Sequence, residues 1–192
     1  MATDLSNLDN LLGGIKHKSI TKPVCDSLMP STPESIISTA KKNKIETSPL
    51  DIESVIKIIF NIKISKVDLG KSASGFLEKI NDSWYIYINS QESIYRQRFT
   101  MAHELAHYIL HRANYISNGP RKEDRVFFRD ENTNTYEREA NDFAAKLLLP
   151  EAEFKEAIKH GNNTILKLAN YFNLSTAAIR YRAYKLGLIS KY

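Results

Sequence analysis

Apolar side chains recur every three or four residues over most of the chain, the spacing that places them on one face of an α-helix. Thr32 precedes Pro33, and proline suits the first position of a helix. Ser48 precedes Pro49 in a second start signal, where the serine can cap the helix and the following Asp51 favours its dipole. The pattern predicts helices over 33–44, 49–60, 93–112, 136–149, 151–160, 164–171 and 175–186.

Three shorter runs between the second and third helices have the composition of β-strands. They cover 62–67, 74–80 and 84–89, and the last alternates Trp84, Ile86 and Ile88 with more polar residues. Such a period of two is typical of a half-buried strand. Asn81-Asp82 between the last two runs indicates a hairpin turn. Helices together with a small group of strands predict the α+β class.

Composition narrows the class of protein without changing this picture. The chain has 192 residues, of which 42% are apolar, so a packed domain is expected and global disorder is not. No apolar run approaches the roughly 18 residues of a membrane span, and Met1 to Ile20 lacks the apolar core of a signal peptide. Cys25 is the single cysteine, which excludes an internal disulfide and fits a reducing cytoplasm. We expect it to be inert, with inhibitory binding to a metal as the alternative.

Polar and charged segments divide the chain into three parts. Residues 1–31 are rich in Ser, Asn, Asp, Lys and Gly and are expected to be flexible or loosely docked. Residues 32–150 form the expected core, interrupted by a polar loop over 113–135. The helices of 151–192 follow as a basic subdomain. Residues 155–192 carry a net charge of +6, and the rest of the chain carries −1. An acidic partner is therefore expected at this end.

A metal site is predicted on the third helix by His103, Glu104 and His107. Residues four apart project from one face of a helix, so both imidazoles can reach one zinc ion at about 2.0–2.1 Å. Glu104 is adjacent and can accept the proton of a water whose pKa the zinc lowers to about 7. His103 and His107 flank an apolar stripe of this helix, which places them at the edge of the core. We therefore expect one zinc ion per chain, with Glu104 as general base.

A third protein ligand is expected on the helix over 136–149, which offers two glutamates. At about 100° per residue, Glu137 lies at the margin of the apolar face, whereas Glu139 lies on the opposite side with Asp142 and Lys146. A ligand points inward, so this pattern favours Glu137 over Glu139. Asn141 shares the side of Glu137. It is either an ordinary surface amide or a partner that orients a ligand imidazole.

Two segments of the chain resemble the ImmA/IrrE family of metallopeptidases. Arg98 to His111 reads RFTMAHELAHYILH, and Glu137 to Pro150 reads EREANDFAAKLLLP. The resemblance implies a minimal zincin-like fold, with a small, mostly antiparallel three-stranded sheet packed on the zinc helix and further helices on the C-terminal side. It also supports Glu137 as the zinc ligand. For function it implies cleavage of a repressor-type transcription regulator, often encoded nearby.

Three functions are open at this stage. The first is a zinc endopeptidase acting on a repressor-type regulator or an antitoxin-like partner. The second is a DNA-binding or protein-binding regulator whose zinc site is not catalytic, and the third is a toxin-like protein held by an antitoxin. Glu104 favours the first, because a structural site needs no general base. No membrane partner is expected.

The C-terminal residues 168–180 resemble a helix-turn-helix, with Ser175 capping its second helix. Arg180, Arg182 and Lys185 follow on that helix and could contact DNA. The interpretation we favour is a helical pair that packs on the peptidase, with solvated basic residues. Docking of an acidic substrate is a further alternative.

His111 continues the four-residue spacing from His107 but lies about 12 Å along the helix from His103. Three histidines of one straight helix cannot share one ion, so His111 is expected to be structural or to support a ligand, with substrate contact as the lesser alternative. The candidates for an oxyanion stabiliser are Tyr108, Tyr136 and Arg98, each of which is better explained by packing.

Overall fold

The computed structural model describes residues 29–71, 73–117 and 131–191. Over these residues the protein has the predicted α+β architecture, a three-stranded sheet surrounded by helices. The elements are α1 (Pro33–Lys42), α2 (Ile52–Ser54) continued by a π-helical turn (Val55–Ile59), β1 (Lys63–Val67), β2 (Gly75–Ile80), β3 (Ser83–Asn89), α3 (Ile94–Ser117), α4 (Glu131–Leu148), α5 (Glu151–Lys159), α6 (Ile165–Phe172) and α7 (Thr176–Lys185).

The sheet has the order β1-β3-β2, so the last strand lies in the middle. β2 and β3 form the predicted antiparallel hairpin, and Asn81 takes a left-handed conformation with φ of 53° in its turn. β1 pairs with β3 in parallel. The three-stranded sheet is confirmed, but the pairing is mixed rather than mostly antiparallel, because the chain crosses from β1 to the opposite edge before the hairpin returns to the centre.

β3 is buried on both faces, so the prediction of a half-buried strand is wrong. Ile86 and Ile88 are fully buried in the main core, to which α3 contributes. Tyr85 and Tyr87 on the other face are at most 7% exposed. The Tyr87 ring stacks on Phe76 of β2, with ring centroids 4.6 Å apart. A tyrosine that alternates with apolar residues along a strand suggests a solvent-facing position, but its ring can also pack against side chains of neighbouring strands.

Gly75 allows the metal-site helix to lie close to the sheet. A Cβ at this position would be 2.6 Å from Thr100 Cγ2 of α3 and equally close to the carbonyl oxygen of Tyr87. Neither distance is compatible with a side chain, so glycine sets the close approach of β2 and α3. Thr100 lies one helical turn before His103, so this close approach positions the part of α3 that carries the histidines.

The helix starts agree with the sequence at Thr32 and differ at Ser48. Thr32 and Ser35 form a reciprocal capping box at the start of α1. The cap of α2 is Asp51, whose carboxylate accepts from the Ser54 backbone amide at 3.1 Å. Ser48 lies in the turn closed by the bridge between Thr47 and Leu50. The prediction of Ser48 as the cap is therefore wrong, because the aspartate three residues later reaches the free amide.

Both long helices extend further than predicted. α3 runs to Ser117, and α4 begins at Glu131, five residues before the predicted start. Residues 131–135 read ENTNT and contain no apolar side chain, so periodicity cannot reveal this first turn. The rest of the predicted 113–135 loop, residues 118–130, lies outside the described residues. So do residues 1–28 of the predicted N-terminal segment over 1–31, with the alternatives for Cys25.

The C-terminal helices pack on α4 through polar contacts as well as through the core. Tyr181 donates a hydrogen bond to the Asp142 carboxylate, and Lys185 Nζ lies 3.3 Å from the same group. Arg182 is buried and donates from Nε to the carbonyl oxygen of Leu149 at 2.8 Å. Two basic residues of α7, Arg182 and Lys185, therefore contact α4 and the residue that follows it, while Arg180 faces solvent.

Candidate metal centre

Three side chains from α3 and α4 converge on one point. The Nε2 atoms of His103 and His107, one turn apart on α3, are 3.0 Å from each other. Glu137 of α4 places one carboxylate oxygen 3.2 Å from each of them. Helices α3 and α4 pack along each other, which brings residues 30 or more positions apart into contact.

The geometry of these donors fits a zinc ion. Ligands at 2.0–2.1 Å in a tetrahedron lie roughly 3.3 Å from one another, close to the distances observed here. Two imidazoles and a carboxylate are also a ligand set typical of catalytic zinc, which leaves the fourth position open. Within residues 29–71, 73–117 and 131–191, this is the group of His, Cys, Asp and Glu side chains close enough to hold a metal.

The two candidate glutamates of α4 have different partners. The Glu137 carboxylate lies beside both histidines, whereas Glu139 Oε2 lies 2.9 Å from His111 Nε2. The Glu139 side chain is 53% exposed, so it is partly solvated, as the helical pattern indicated, but it also has a defined partner. The structure thus brings Glu137, and not Glu139, to the histidine pair.

Each histidine of the pair also has a partner for its other ring nitrogen. His103 Nδ1 lies 3.1 Å from Asn141 Oδ1, and the amide oxygen can only accept. His107 Nδ1 lies 3.1 Å from the Nδ1 of His111. Neither Asn141 nor His111 is therefore an ordinary surface residue. The sequence indicated both positions but not the bond between His111 and Glu139.

Glu104 lies next to the convergent donors without joining them. Its side chain is buried, and burial raises the pKa of its carboxyl, with the charge of Glu137 acting in the same direction. The neighbouring His103 and His107 oppose this rise. A buried carboxyl whose pKa lies above its usual value is a stronger base than a solvated one. This is the character required of a general base beside a metal.

The electrostatics of the donors favour a cation. Burial lowers the pKa of His103, but hydrogen bonding and charge from Glu137, with the charge of Glu104, raise it on balance. Hydrogen bonds from His103 and His107 hold the pKa of Glu137 far below its usual value, against the effect of burial. The site therefore holds a firmly ionised carboxylate, and a proton or a metal ion at the imidazoles neutralises it.

The three candidates for an oxyanion stabiliser have other partners. Arg98 donates a hydrogen bond to the carbonyl oxygen of Leu50. Tyr108 is buried, with its ring edge-on to Phe60 and Trp84. Tyr136 lies against His111, with ring centroids 4.6 Å apart. Arg98 and Tyr108 are therefore engaged elsewhere in the fold, which supports the structural role that we expected for them.

Comparison with known sequences identifies relatives over most of the chain. A peptidase family model described as the IrrE N-terminal-like domain matches residues 59–184. Metallopeptidase ImmA of Bacillus subtilis (strain 168) is 30% identical over 139 residues, which are 69% of this chain and 75% of that protein. A protein of Bacillus phage phi105, named uncharacterized immunity region protein 2, is 32% identical over 123 residues, covering 62% and 72%.

A solved structure shares the fold. A Mycobacterium tuberculosis transcriptional regulator superposes with a TM-score of 0.57 at 19% identity, over 83% of this chain. The match spans about half of that longer chain, 48% of its length. Among the helices that the structure describes here, none has the length and hydropathy needed to cross a bilayer.

Proposed function

Because the chain belongs to the ImmA/IrrE family of metallopeptidases, we propose that it is a zinc-dependent endopeptidase whose ion is held by His103, His107 and Glu137. The observation that carries this proposal is the convergence of these three donors, with distances of 3.0–3.2 Å that fit one ion. The buried Glu104 beside them supplies the base that a structural metal site does not need. One zinc ion per chain is proposed.

The division of labour among the side chains follows from their positions. When bound, a zinc ion supplies Lewis acidity, which acidifies water and polarises a carbonyl group. With the ion bound, His103 and His107 would offer unprotonated Nε2 atoms, because Asn141 Oδ1 and His111 Nδ1 can accept from their Nδ1–H groups. Glu104 takes a proton from the attacking water and returns it to the leaving amine. Its burial raises the pKa of its carboxyl, which suits both transfers.

We further propose that the substrate is a repressor-type transcription regulator or an antitoxin-like partner encoded nearby. The sequence resembles a family for which such substrates are expected, and the phage phi105 relative is named as an immunity region protein. The proposed partner is a protein. A protein substrate can reach the site because the Glu137 side chain is 49% exposed.

The alternative, a DNA-binding regulator with a non-catalytic zinc site, is weakened by the contacts of α7. A recognition helix must present its basic residues to the major groove. Arg182 is instead buried against Leu149, and Tyr181 and Lys185 contact Asp142. Of the basic residues that suggested DNA contact, Arg180 and Lys185 remain exposed, and Lys185 also lies 3.3 Å from the Asp142 carboxylate. These contacts support the helical pair as a part of the peptidase.

Glu104→Gln tests the enzymatic proposal, since the amide keeps the size of the side chain but cannot accept the proton. Cleavage of the regulator encoded next to this chain should fall by at least the roughly 10²–10⁴-fold that loss of a general base costs. Zinc content should stay the same, because Glu104 is not a ligand. The measurement is the appearance of a discrete fragment on a gel after co-expression under inducing conditions.

The matched control is Lys146→Ala, an exposed position on α4, which should cleave as the wild type does. Equal cleavage by wild type and Glu104→Gln would refute the mechanism. If Glu104→Gln controls the regulator normally without cutting it, binding rather than hydrolysis is the function.

A further inference from the structure

We propose, on the premise of the zinc site above, that His111 and Glu139 are a positioning pair that fixes the tautomer and orientation of the His107 imidazole. Three side chains form a continuous line away from the donors. His107 Nδ1 lies 3.1 Å from His111 Nδ1, and His111 Nε2 lies 2.9 Å from Glu139 Oε2. Glu139, which is not needed as a ligand, thereby acquires a role in the same site.

The tautomers along this line follow from one condition. A neutral imidazole carries one ring hydrogen, so a His107 that offers Nε2 to a metal must carry its hydrogen on Nδ1. That N–H then donates to His111 Nδ1, which is an acceptor only if the hydrogen of His111 is on Nε2. His111 Nε2–H in turn donates to the Glu139 carboxylate. A single arrangement of protons satisfies both observed contacts.

Glu139 is the group that selects this arrangement. Its ionised carboxylate has acceptors only, so it favours the tautomer of His111 with the hydrogen on Nε2. In the opposite tautomer, two N–H groups of His107 and His111 would face each other across 3.1 Å. His111 is 5% exposed, so water is a poor substitute for the missing acceptor. The Tyr136 ring against His111 also restricts the plane of the imidazole.

His103 is held in a simpler way from the same helix. Its Nδ1 bonds directly to Asn141 Oδ1 of α4. Both imidazoles are therefore oriented from α4, through Asn141 for His103 and through Glu139 and His111 for His107. Since α4 also carries Glu137, this one helix provides the third metal donor and orients the two imidazoles that provide the others.

The test is zinc affinity, measured by competition with a chromophoric chelator. Groups that orient a metal-bound histidine typically contribute roughly 10–100-fold to metal affinity. Glu139→Ala should therefore weaken zinc binding by about that factor, and Glu139→Gln, which keeps an acceptor for the His111 N–H, should stay closer to wild type. The control Lys146→Ala, on the exposed side of α4, should leave affinity unchanged. Glu139 is half exposed, so these variants are expected to fold.

The second readout is the tautomer itself, which a merely structural role would not move. In protein labelled with ¹⁵N at histidine, long-range ¹H–¹⁵N spectra distinguish a protonated from an unprotonated ring nitrogen. We expect His111 of the zinc-loaded wild type to be protonated at Nε2, and Glu139→Ala to lose that preference. A His111 protonated at Nδ1 in wild type would overturn the inference.

The outcomes separate this inference from the zinc site on which it rests. His103→Ala removes a donor and should abolish zinc binding. If it does, while Glu139→Ala binds zinc as tightly as wild type, the positioning role is wrong and the zinc site stands. If wild type takes up no zinc, or His103→Ala binds it equally well, the zinc site is wrong and the inference is overturned with it.

Discussion

Glu137 and Glu139 show how two residues of one helix can enter the same site with different chemistry. The Glu137 carboxylate bridges the Nε2 atoms of His103 and His107, at 3.2 Å from each. The Glu139 carboxylate lies 2.9 Å from His111, outside the group of convergent donors. Replacement of the carboxylate by an amide should therefore reduce the metal content at one position, Glu137, and leave it unchanged at the other, Glu139.

Glu137→Gln should lose most of its zinc, because a neutral amide oxygen replaces the anionic ligand. Glu139→Gln should retain about one zinc per chain at saturating metal, since it keeps the acceptor for His111. Metal analysis of the purified, dialysed proteins by mass spectrometry measures both. The assignment would be reversed if Glu139→Gln lost its zinc while Glu137→Gln kept it.

How far the sequence predicts the site depends on the range of each contact. His103, Glu104 and His107 follow from local helix geometry, and the structure places them as that geometry requires. The preference for Glu137 also rested on one helix face and agrees with the observed contacts. The bond from His111 to Glu139 could not be predicted, because it depends on how α3 and α4 cross.

At the scale of elements, the Asp142 carboxylate is one of the contacts that join α7 to α4. Burial alone would raise the pKa of Asp142, but hydrogen bonds from Tyr181 and Lys185, with the charge of Lys185, lower it on balance. A carboxyl whose pKa falls on folding stabilises the folded protein above the pKa of the unfolded chain. This contribution is lost as the pH falls through the lower pKa of the folded state.

Tyr181→Phe should therefore lower the free energy of unfolding by about 1 kcal/mol at pH 7, a modest value because Asp142 is 39% exposed. The loss should shrink below pH ~4, where the unfolded aspartate becomes protonated. Urea denaturation of the zinc-free protein at both pH values measures it. The double variant with Asp142→Asn is the control, since the two losses should not add. A pH-independent difference would contradict this role for the ionised Asp142.

The elements themselves were predicted best where local chemistry dictates them. Thr32, Ser175 and the Asn81-Asp82 turn mark boundaries that the structure confirms, because caps and turns are made by neighbouring residues. The first turn of α4 was missed, since residues 131–135 lack the apolar positions on which periodicity depends. The burial of both faces of β3 was missed because it depends on the other strands.

At the scale of the whole molecule, the basic tail is less available to partners than its charge suggests. Lys155, Lys159 and Lys185 each lie within 4 Å of a carboxylate of the same chain. Arg182 donates to a backbone carbonyl and is buried. Two charges of the net +6 therefore lie beside carboxylates outside the segment, Glu151 and Asp142, and Lys159 pairs with Glu156, which the sum already counts. These pairs reduce the charge that the segment offers to DNA or to an acidic substrate.

The proposed ion would join two helices that are distant in sequence, so zinc should stabilise the whole domain. Its donors come from α3 and α4, with residues 118–130 between these helices. A ligand that binds the folded state stabilises it by about 2.7 kcal/mol when present at 100 times its dissociation constant. For a domain of this size, each kcal/mol corresponds to about 2–4 °C in Tm.

Calorimetry with and without zinc should therefore show a rise in Tm of roughly 5–10 °C for the wild type at that ratio of zinc to dissociation constant. Glu104→Gln should show the same rise, because it removes the base and leaves all three ligands. Glu137→Gln should show little or none, because the ion then has only the two donors of α3. Each of these two variants replaces one glutamate of the wild type by glutamine. Both therefore lose the same acidic charge, which cannot explain a difference between them. A full zinc response in Glu137→Gln would mean that the ion is held without α4. A lost response in Glu104→Gln would make Glu104 a ligand rather than the base.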